Sequence, residues 1–201
     1  MGYQHRWGRQ VTAMRRTNWL VLTGASCAGK TTTGRKVAQR LGCRFVEEPV
    51  RLYIDEQISS GRLKDEVVHE LMSDRKRYQE EALAMRIRLE ESLDPDEPLI
   101  LDRGIPDSIG YFKLWDINPL RAEIAASTFR YRAVAWLAPL TMVKDDIRLE
   151  NEYQRARLSS LLLDAYRSEG YEVLNVPVDS LDERVANVVR LIRQSLDGIR
   201  S

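Results

Sequence analysis

The sequence predicts an α/β fold in which five strands form a parallel sheet with helices on both faces. Three observations carry this expectation. Short apolar runs alternate with longer segments of helical period along the chain. The first apolar run, Asn18-Trp19-Leu20-Val21-Leu22-Thr23, stops at a glycine-rich loop. A helical segment, Thr32 to Leu41, opens directly behind that loop, with Val37, Ala38 and Leu41 on one face and Gly42 as its stop.

The loop is Gly24-Ala25-Ser26-Cys27-Ala28-Gly29-Lys30-Thr31. It fits G-x-x-x-x-G-K-[ST], the Walker A or P-loop pattern, at every fixed position, so a P-loop NTPase fold is expected. Glycines at both ends let the backbone turn tightly and approach an anion. The N–H groups between them then form an anion-binding nest. Lys30 puts a point charge on the β- and γ-phosphates, and Thr31 offers a hydroxyl to Mg²⁺. The helix that follows aims its positive dipole end at the same phosphates. The expected nucleotide site is therefore Gly24, Ala25, Ser26, Cys27, Ala28, Gly29, Lys30, Thr31 and Thr32, with ATP and Mg²⁺ as cofactors.

At 201 residues the chain suits one domain, placed at residues 18–198, behind a basic extension at residues 1–17. Residues 1–17 carry Arg6, Arg9, Arg15 and Arg16 and no acidic residue, so they read either as a flexible solvated tail or as a basic arm. The formal net charge of +1 gives no global field that argues for nucleic acid or membrane. No apolar run is long enough for a spanning helix. Two cysteines, Cys27 in the loop and Cys43 beyond it, read as free thiols of a cytoplasmic protein. A monomer and a homodimer both remain open.

The remaining elements follow in order. Cys43 to Glu47 reads as a second strand ending in Glu47-Glu48-Pro49, which places carboxylates where α/β sheets bind ligands. One of them can accept a proton from a substrate hydroxyl or bind a ribose; the alternative is a charged strand end before a turn. Arg51 to Arg88 reads as mostly helical, broken at Ser59-Ser60-Gly61. Arg75-Lys76-Arg77 on it would hold an anionic group of an acceptor or form a solvated face. Leu99-Ile100-Leu101-Asp102 is an apolar run ending in a carboxylate, the Walker B pattern, in which Asp102 holds Mg²⁺ through water or orients the attacking hydroxyl. Arg103 follows it and can fork onto phosphate or carboxylate. In the next helix, capped by Asp107 or Ser108, Tyr111 or Phe112 would stack on a ring or fill core. After a short helix through Ala126, Tyr131 to Leu137 is a fourth strand. Asp145 to Glu152 opens a charged segment in which Arg148 is the candidate for neutralising charge on a transferred phosphoryl group. Tyr171 to Val176 is a fifth strand, and Leu181 to Leu196 a closing helix.

These residues resemble the P-loop kinase-like group of AAA-type ATP-binding domains, which includes the ribosylnicotinamide kinase domain of the bacterial NAD regulator. The likeness runs from about Leu20 to Ile192. It rests on the P-loop with Thr32, on Val46-Glu47-Glu48, on Asp102-Arg103-Gly104-Ile105-Pro106-Asp107, on Asp146-Ile147-Arg148, and on Ala165-Tyr166 with Gly170-Tyr171. The resemblance implies that the Asp102 strand lies beside the P-loop strand, that MgATP binds at Lys30 and Thr31, and that the acceptor pocket lies near Glu48, Asp102 and Arg103. Glu48-Pro49 is also similar to deoxynucleoside kinases, whose glutamate there activates a sugar hydroxyl. Those enzymes have Glu-Arg-Ser where this chain has Asp-Arg-Gly. The Ser26 to Lys30 stretch is similar to antibiotic O-phosphotransferases.

The expected function is an ATP- and Mg²⁺-dependent kinase acting on a hydroxyl of a small nucleoside-like molecule. Its expected catalytic set is Lys30, Glu48, Asp102, Arg103 and Arg148, and its metal set Thr31 and Asp102. Two other readings compete. One is a nucleotide-binding switch that works through a protein partner, against which stands the lack of an Asn-Lys-x-Asp guanine-reading motif. The other is an RNA-end kinase that would use the basic arm and Arg75-Lys76-Arg77.

Overall fold

The computed structural model describes residues 14–140 and 152–197. In chain order these hold β1 (Arg15–Arg16), β2 (Trp19–Thr23), α1 (Lys30–Leu41), β3 (Arg44–Val46), α2 (Pro49–Ser59), α3 (Lys64–Ser73), α4 (Arg75–Ser92), β4 (Leu99–Asp102), α5 (Ile105–Leu114), α6 (Leu120–Ala126), β5 (Phe129–Arg130), β6 (Ala133–Leu137), α7 (Glu152–Ser168), β7 (Val173–Val176) and α8 (Leu181–Asp197).

Five strands form one parallel sheet in the order β3-β4-β2-β6-β7. The P-loop strand β2 is central, and every residue of it is buried. Parallel strands need covered faces, and β2 shows why its sequence is apolar throughout. Trp19 and Val21 point to one face, where they pack with Leu83, Leu101, Ile105, Ile109, Phe112 and Tyr166. Leu20 and Leu22 point to the other, where Val37, Ala38, Leu137, Val185 and Val188 cover them. The five-stranded α/β P-loop fold expected from the sequence is the fold observed, and β4 lies beside β2 with Leu22 opposite Asp102.

The register matters for the site. Because all five strands run the same way, their C-terminal ends share one edge of the sheet. That edge carries the P-loop after β2, Glu47-Glu48 after β3, and Asp102-Arg103 at the end of β4.

Some boundaries differ from expectation. The strand expected from Cys43 to Glu47 is only Arg44–Val46, which frees Glu48 to sit in extended backbone at the start of α2. The helical stretch after Gly61 breaks again at Asp74, whose side chain accepts the Arg77 N–H at 3.0 Å and starts α4. The strand expected from Tyr131 starts at Ala133 instead, and Phe129–Arg130 pairs in parallel with Arg15–Arg16. The last residues of the expected basic extension thus join the ordered fold, and Thr17 is buried. The candidate Arg148 and the charged segment around it lie outside the described residues.

Candidate active site

The P-loop geometry follows from its glycines. Gly24 has φ +142°, and a Cβ there would sit 2.6 Å from the Leu137 carbonyl oxygen of β6. Only a residue without a side chain lets the loop leave β2 this close to the next strand. Gly29 has φ +74° and sits at the N-terminus of α1. Between them Cys27 takes left-handed backbone at φ 61°, a strained conformation for a residue with a Cβ. Lys30 is buried at 7% exposure, and its ammonium donates to the Ala25 carbonyl at 3.0 Å, back across its own loop. Burial holds the Lys30 ammonium below its ordinary pKa; Arg103 acts the same way, while Asp102, Glu48 and Asp107 oppose it.

Thr31 and Asp102 meet across the β2–β4 pair. The Thr31 hydroxyl donates to Asp102 Oδ2 at 2.5 Å. Asp102 Oδ1 is buried and has no hydrogen-bond partner among the described residues. A buried carboxylate oxygen left without a donor fits a hydrated cation, so hydroxyl, carboxylate and nucleotide phosphates suit Mg²⁺. Burial also pushes the Asp102 carboxyl up, against the pull of Lys30. No group of three His, Cys, Asp or Glu side chains that could hold a metal ion occurs among the described residues.

Arg103 is, with Cys27, the second non-glycine residue of the site with a positive φ, at 72°. Its N–H donates to the Leu22 carbonyl at 3.0 Å, which ties the end of β4 to β2. The turn sends its guanidinium inward. There it donates to Glu48 Oε2 at 3.1 Å, to the Gly24 carbonyl at 3.1 Å and to Asp107 Oδ1 at 2.8 Å. One side chain thereby links the P-loop, the start of α2 and α5.

Asp107 is the anchor beneath it. It is fully buried and accepts from Thr23 Oγ1, Arg103, the Gly104 N–H and the Tyr166 hydroxyl. Burial alone would raise its carboxyl, but Arg103, Arg86, Tyr166 and the Gly104 N–H outweigh that and hold it below the ordinary range. The N-cap of α5 is Gly104 rather than the expected Asp107 or Ser108; Asp107, three residues in, accepts the Gly104 N–H and also braces Arg103.

Glu48 faces a cavity of about 340 Å³ that also opens to the P-loop residues Ser26, Cys27 and Gly29 to Thr32, and to Asp102 and Arg103. That size suits a small organic ligand. Glu48 is held from two sides, by Arg103 and by Arg86 Nη2 at 3.0 Å. Arg86 is 3% exposed and also donates to Ser108 Oγ at 2.6 Å. Arg86 belongs to no motif in the sequence. Its signal was a polar residue on the inward face of α4, together with Gln79 and Glu90, a pattern that reads only as imperfect amphipathicity. Of the two aromatic candidates, Tyr111 lines the cavity and Phe112 is core at 1% exposure; Trp115, not a candidate from the sequence, also lines it. His69 is exposed on α3.

The structure thus brings Lys30, Thr31, Glu48, Asp102 and Arg103 around one cavity at the C-terminal edge of the sheet. Fold and site together define a P-loop nucleotide-site protein with the fold of the nucleoside and nucleotide kinases. The chain belongs to an AAA-domain family, whose model matches residues 19–184. No curated protein matches it. Among solved structures it is similar to NadR in complex with NR, at 15% identity and TM-score 0.67, over 89% of this chain and 50% of that one. It is also similar to deoxyadenosine kinase from M. mycoides with dCMP and dCDP bound, at 15% identity and TM-score 0.63, over 88% and 99% of the two chains. Thymidylate kinase from Candida albicans matches at 14% identity and TM-score 0.64, over 89% and 92%. At these identities the likeness is one of fold. No helix among the described residues is long and apolar enough to cross a membrane.

Proposed function

We propose that the protein is an ATP- and Mg²⁺-dependent kinase that transfers the γ-phosphoryl group to a hydroxyl of a small nucleoside-like acceptor. One observation carries the reading. The cavity that opens from the P-loop runs onto Glu48, a carboxylate held by Arg86 and Arg103 with its remaining side facing the cavity. A nucleotide switch that only senses phosphate has no use for a cavity that extends past the phosphate site onto an oriented carboxylate.

The structure also supports a division of roles between the two candidate carboxylates. Asp102 is 5% exposed and engaged by Thr31, so its open oxygen suits the metal shell. The Glu48 side chain is 25% exposed and borders the cavity, so it suits the acceptor hydroxyl. Glu48 would accept that hydroxyl's hydrogen bond and aim its oxygen at the γ-phosphorus. Lys30 would leave the Ala25 carbonyl for the β- and γ-phosphates. The Gly24–Thr32 amides would cradle the phosphates, and Arg103 would bind charge that grows between donor and acceptor. Mg²⁺, held by Thr31 and, through water, by Asp102, would supply charge neutralisation of the phosphates. Arg148 keeps its proposed role on sequence grounds. Such transfer depends on positioning and electrostatics more than on covalent chemistry. Free thiols at Cys27 and Cys43 fit a reducing cytoplasm, the location we propose.

The test is ADP release from MgATP across nucleosides, nucleotides, vitamin-like ribosides and antibiotics, with Lys30→Ala as control. Release that rises with one compound and vanishes in the variant supports the kinase. Tight nucleotide binding with no acceptor-stimulated turnover would overturn it in favour of a switch.

A further inference from the structure

Among the described residues the charges around the cavity do not cancel, and part of the surplus, at Arg75, lies away from Glu48. Arg86 and Arg103 are matched by Glu48 and Asp107. Lys30 is offset by Asp102. Two further cations, Arg51 and Arg75, line the same cavity, and among the described residues neither pairs with an acidic side chain.

The geometry of α4 places Arg75. Arg75, Gln79, Ala82 and Arg86 recur at helical spacing and all line the cavity, so one stripe of α4 forms its wall. Arg86 stands at the Glu48 end. Arg75 is eleven residues earlier, about 16 Å along the helix axis. Its guanidinium lies 4.2 Å from the centroid of the Trp115 ring, and Trp115 also lines the cavity. Stacking fixes the plane of the guanidinium and leaves its in-plane N–H groups for a ligand. In the kinase reading the donor phosphates would lie at the P-loop, which Arg103 ties to Glu48, whereas Arg75 stands at the other end of the α4 stripe from Arg86.

We infer that the acceptor carries an oxyanion, a carboxylate or a phosphate, at the end remote from the transferred phosphoryl group, and that Arg75 on its Trp115 platform binds it. This deepens the kinase reading and rests on it. An arginine fork pairs two N–H groups with two oxygens of either anion, a geometry that a neutral carboxamide or hydroxyl cannot satisfy. Arg51, exposed on α2, adds positive potential at the same cavity and favours entry of an anion.

The experiment uses matched acceptors: a riboside with a ring carboxamide and its ring carboxylate, and a nucleoside and its 3′-monophosphate. Binding is followed by tryptophan fluorescence and calorimetry, and turnover by ADP release, in the wild-type chain and in Arg75→Gln. The expected result is a preference of about tenfold or more in kcat/KM for one anionic member over its neutral partner, which falls by about the same factor in Arg75→Gln. The pair that shows the preference tells carboxylate from phosphate. Equal phosphorylation of both members, or a preference that Arg75→Gln leaves intact, overturns the inference and leaves the kinase standing. Preferential binding of an anionic compound that is lost in Arg75→Gln, without phosphorylation, keeps the anion site and overturns the kinase reading. No binding and no turnover with any pair sinks both.

Discussion

The Thr31 hydroxyl donates to Asp102 Oδ2 at 2.5 Å, across 71 residues of sequence, and leaves Asp102 Oδ1 buried without a donor. Pairing of β2 with β4 sets Asp102 opposite Leu22, and the loop that leaves β2 returns Thr31, at the start of α1, to the end of β4. Asp102→Asn should keep the fold, since asparagine can still accept the Thr31 hydroxyl, and should raise the Mg²⁺ concentration needed for half-maximal ADP release by about 10–100-fold. A Mg²⁺ titration that superimposes on the wild type would remove Asp102 from the metal shell.

Lys30 is held over its own loop by the Ala25 carbonyl and is surrounded by Asp102, Glu48 and Asp107. Lys30→Ala is expected to lower acceptor-dependent turnover by about 10²–10³. The thermal midpoint should change little by comparison, because the loop loses one hydrogen bond and no apolar contact. Single-turnover kinetics beside a melting curve would separate the two effects.

Glu48→Gln keeps the shape of the side chain and removes the charge that Arg86 and Arg103 share. The acceptor hydroxyl would lose its acceptor group, so kcat should fall by about 10² or more while the Kd for ATP moves within a few-fold. Equal losses in ATP binding and in turnover would instead make Glu48 a brace of the P-loop side.

Asp107 accepts four donors at a site with no solvent exposure, one of them the guanidinium of Arg103. Asp107→Asn leaves that buried cation short of its partner and should cost about 3–5 kcal/mol of stability, read from denaturant melts. Asp107 titrates below its ordinary value in the folded chain. Its contribution is therefore complete above about pH 4 and is lost as the pH falls through the depressed folded value.

Glu90 shifts in the opposite direction. It is 1% exposed, accepts the Ile105 N–H at 3.0 Å and lies 2.7 Å from the Tyr131 hydroxyl, and burial pushes its carboxyl up to about 8. Between the unfolded value of 4.5 and about 8 the folded chain binds the extra proton, so stability declines as the pH rises through that window. Glu90→Gln, neutral at every pH, should flatten that decline, and the gain over wild type should grow from pH 5 to pH 8. Melts at several pH values that run parallel for the two proteins would refute the assignment.

The sequence by itself determined the sheet, the nucleotide loop and the residue types at the strand ends. Those signals are local: an apolar run stopping at Gly24, a glycine pair flanking five peptide units, and a carboxylate closing Leu99 to Leu101 each carry their meaning within a few positions. Only the tertiary structure decided which of these groups meet. The β3-β4-β2-β6-β7 order sets Asp102 beside Thr31, the turn at Arg103 carries its guanidinium to Glu48 and Asp107, and α4 delivers Arg86 to the same carboxylate. Arg86 and the span from Glu48 to Arg75 were hidden in the sequence for a physical reason. A buried arginine inside a long helix looks like any exposed one until packing shows which face turns inward.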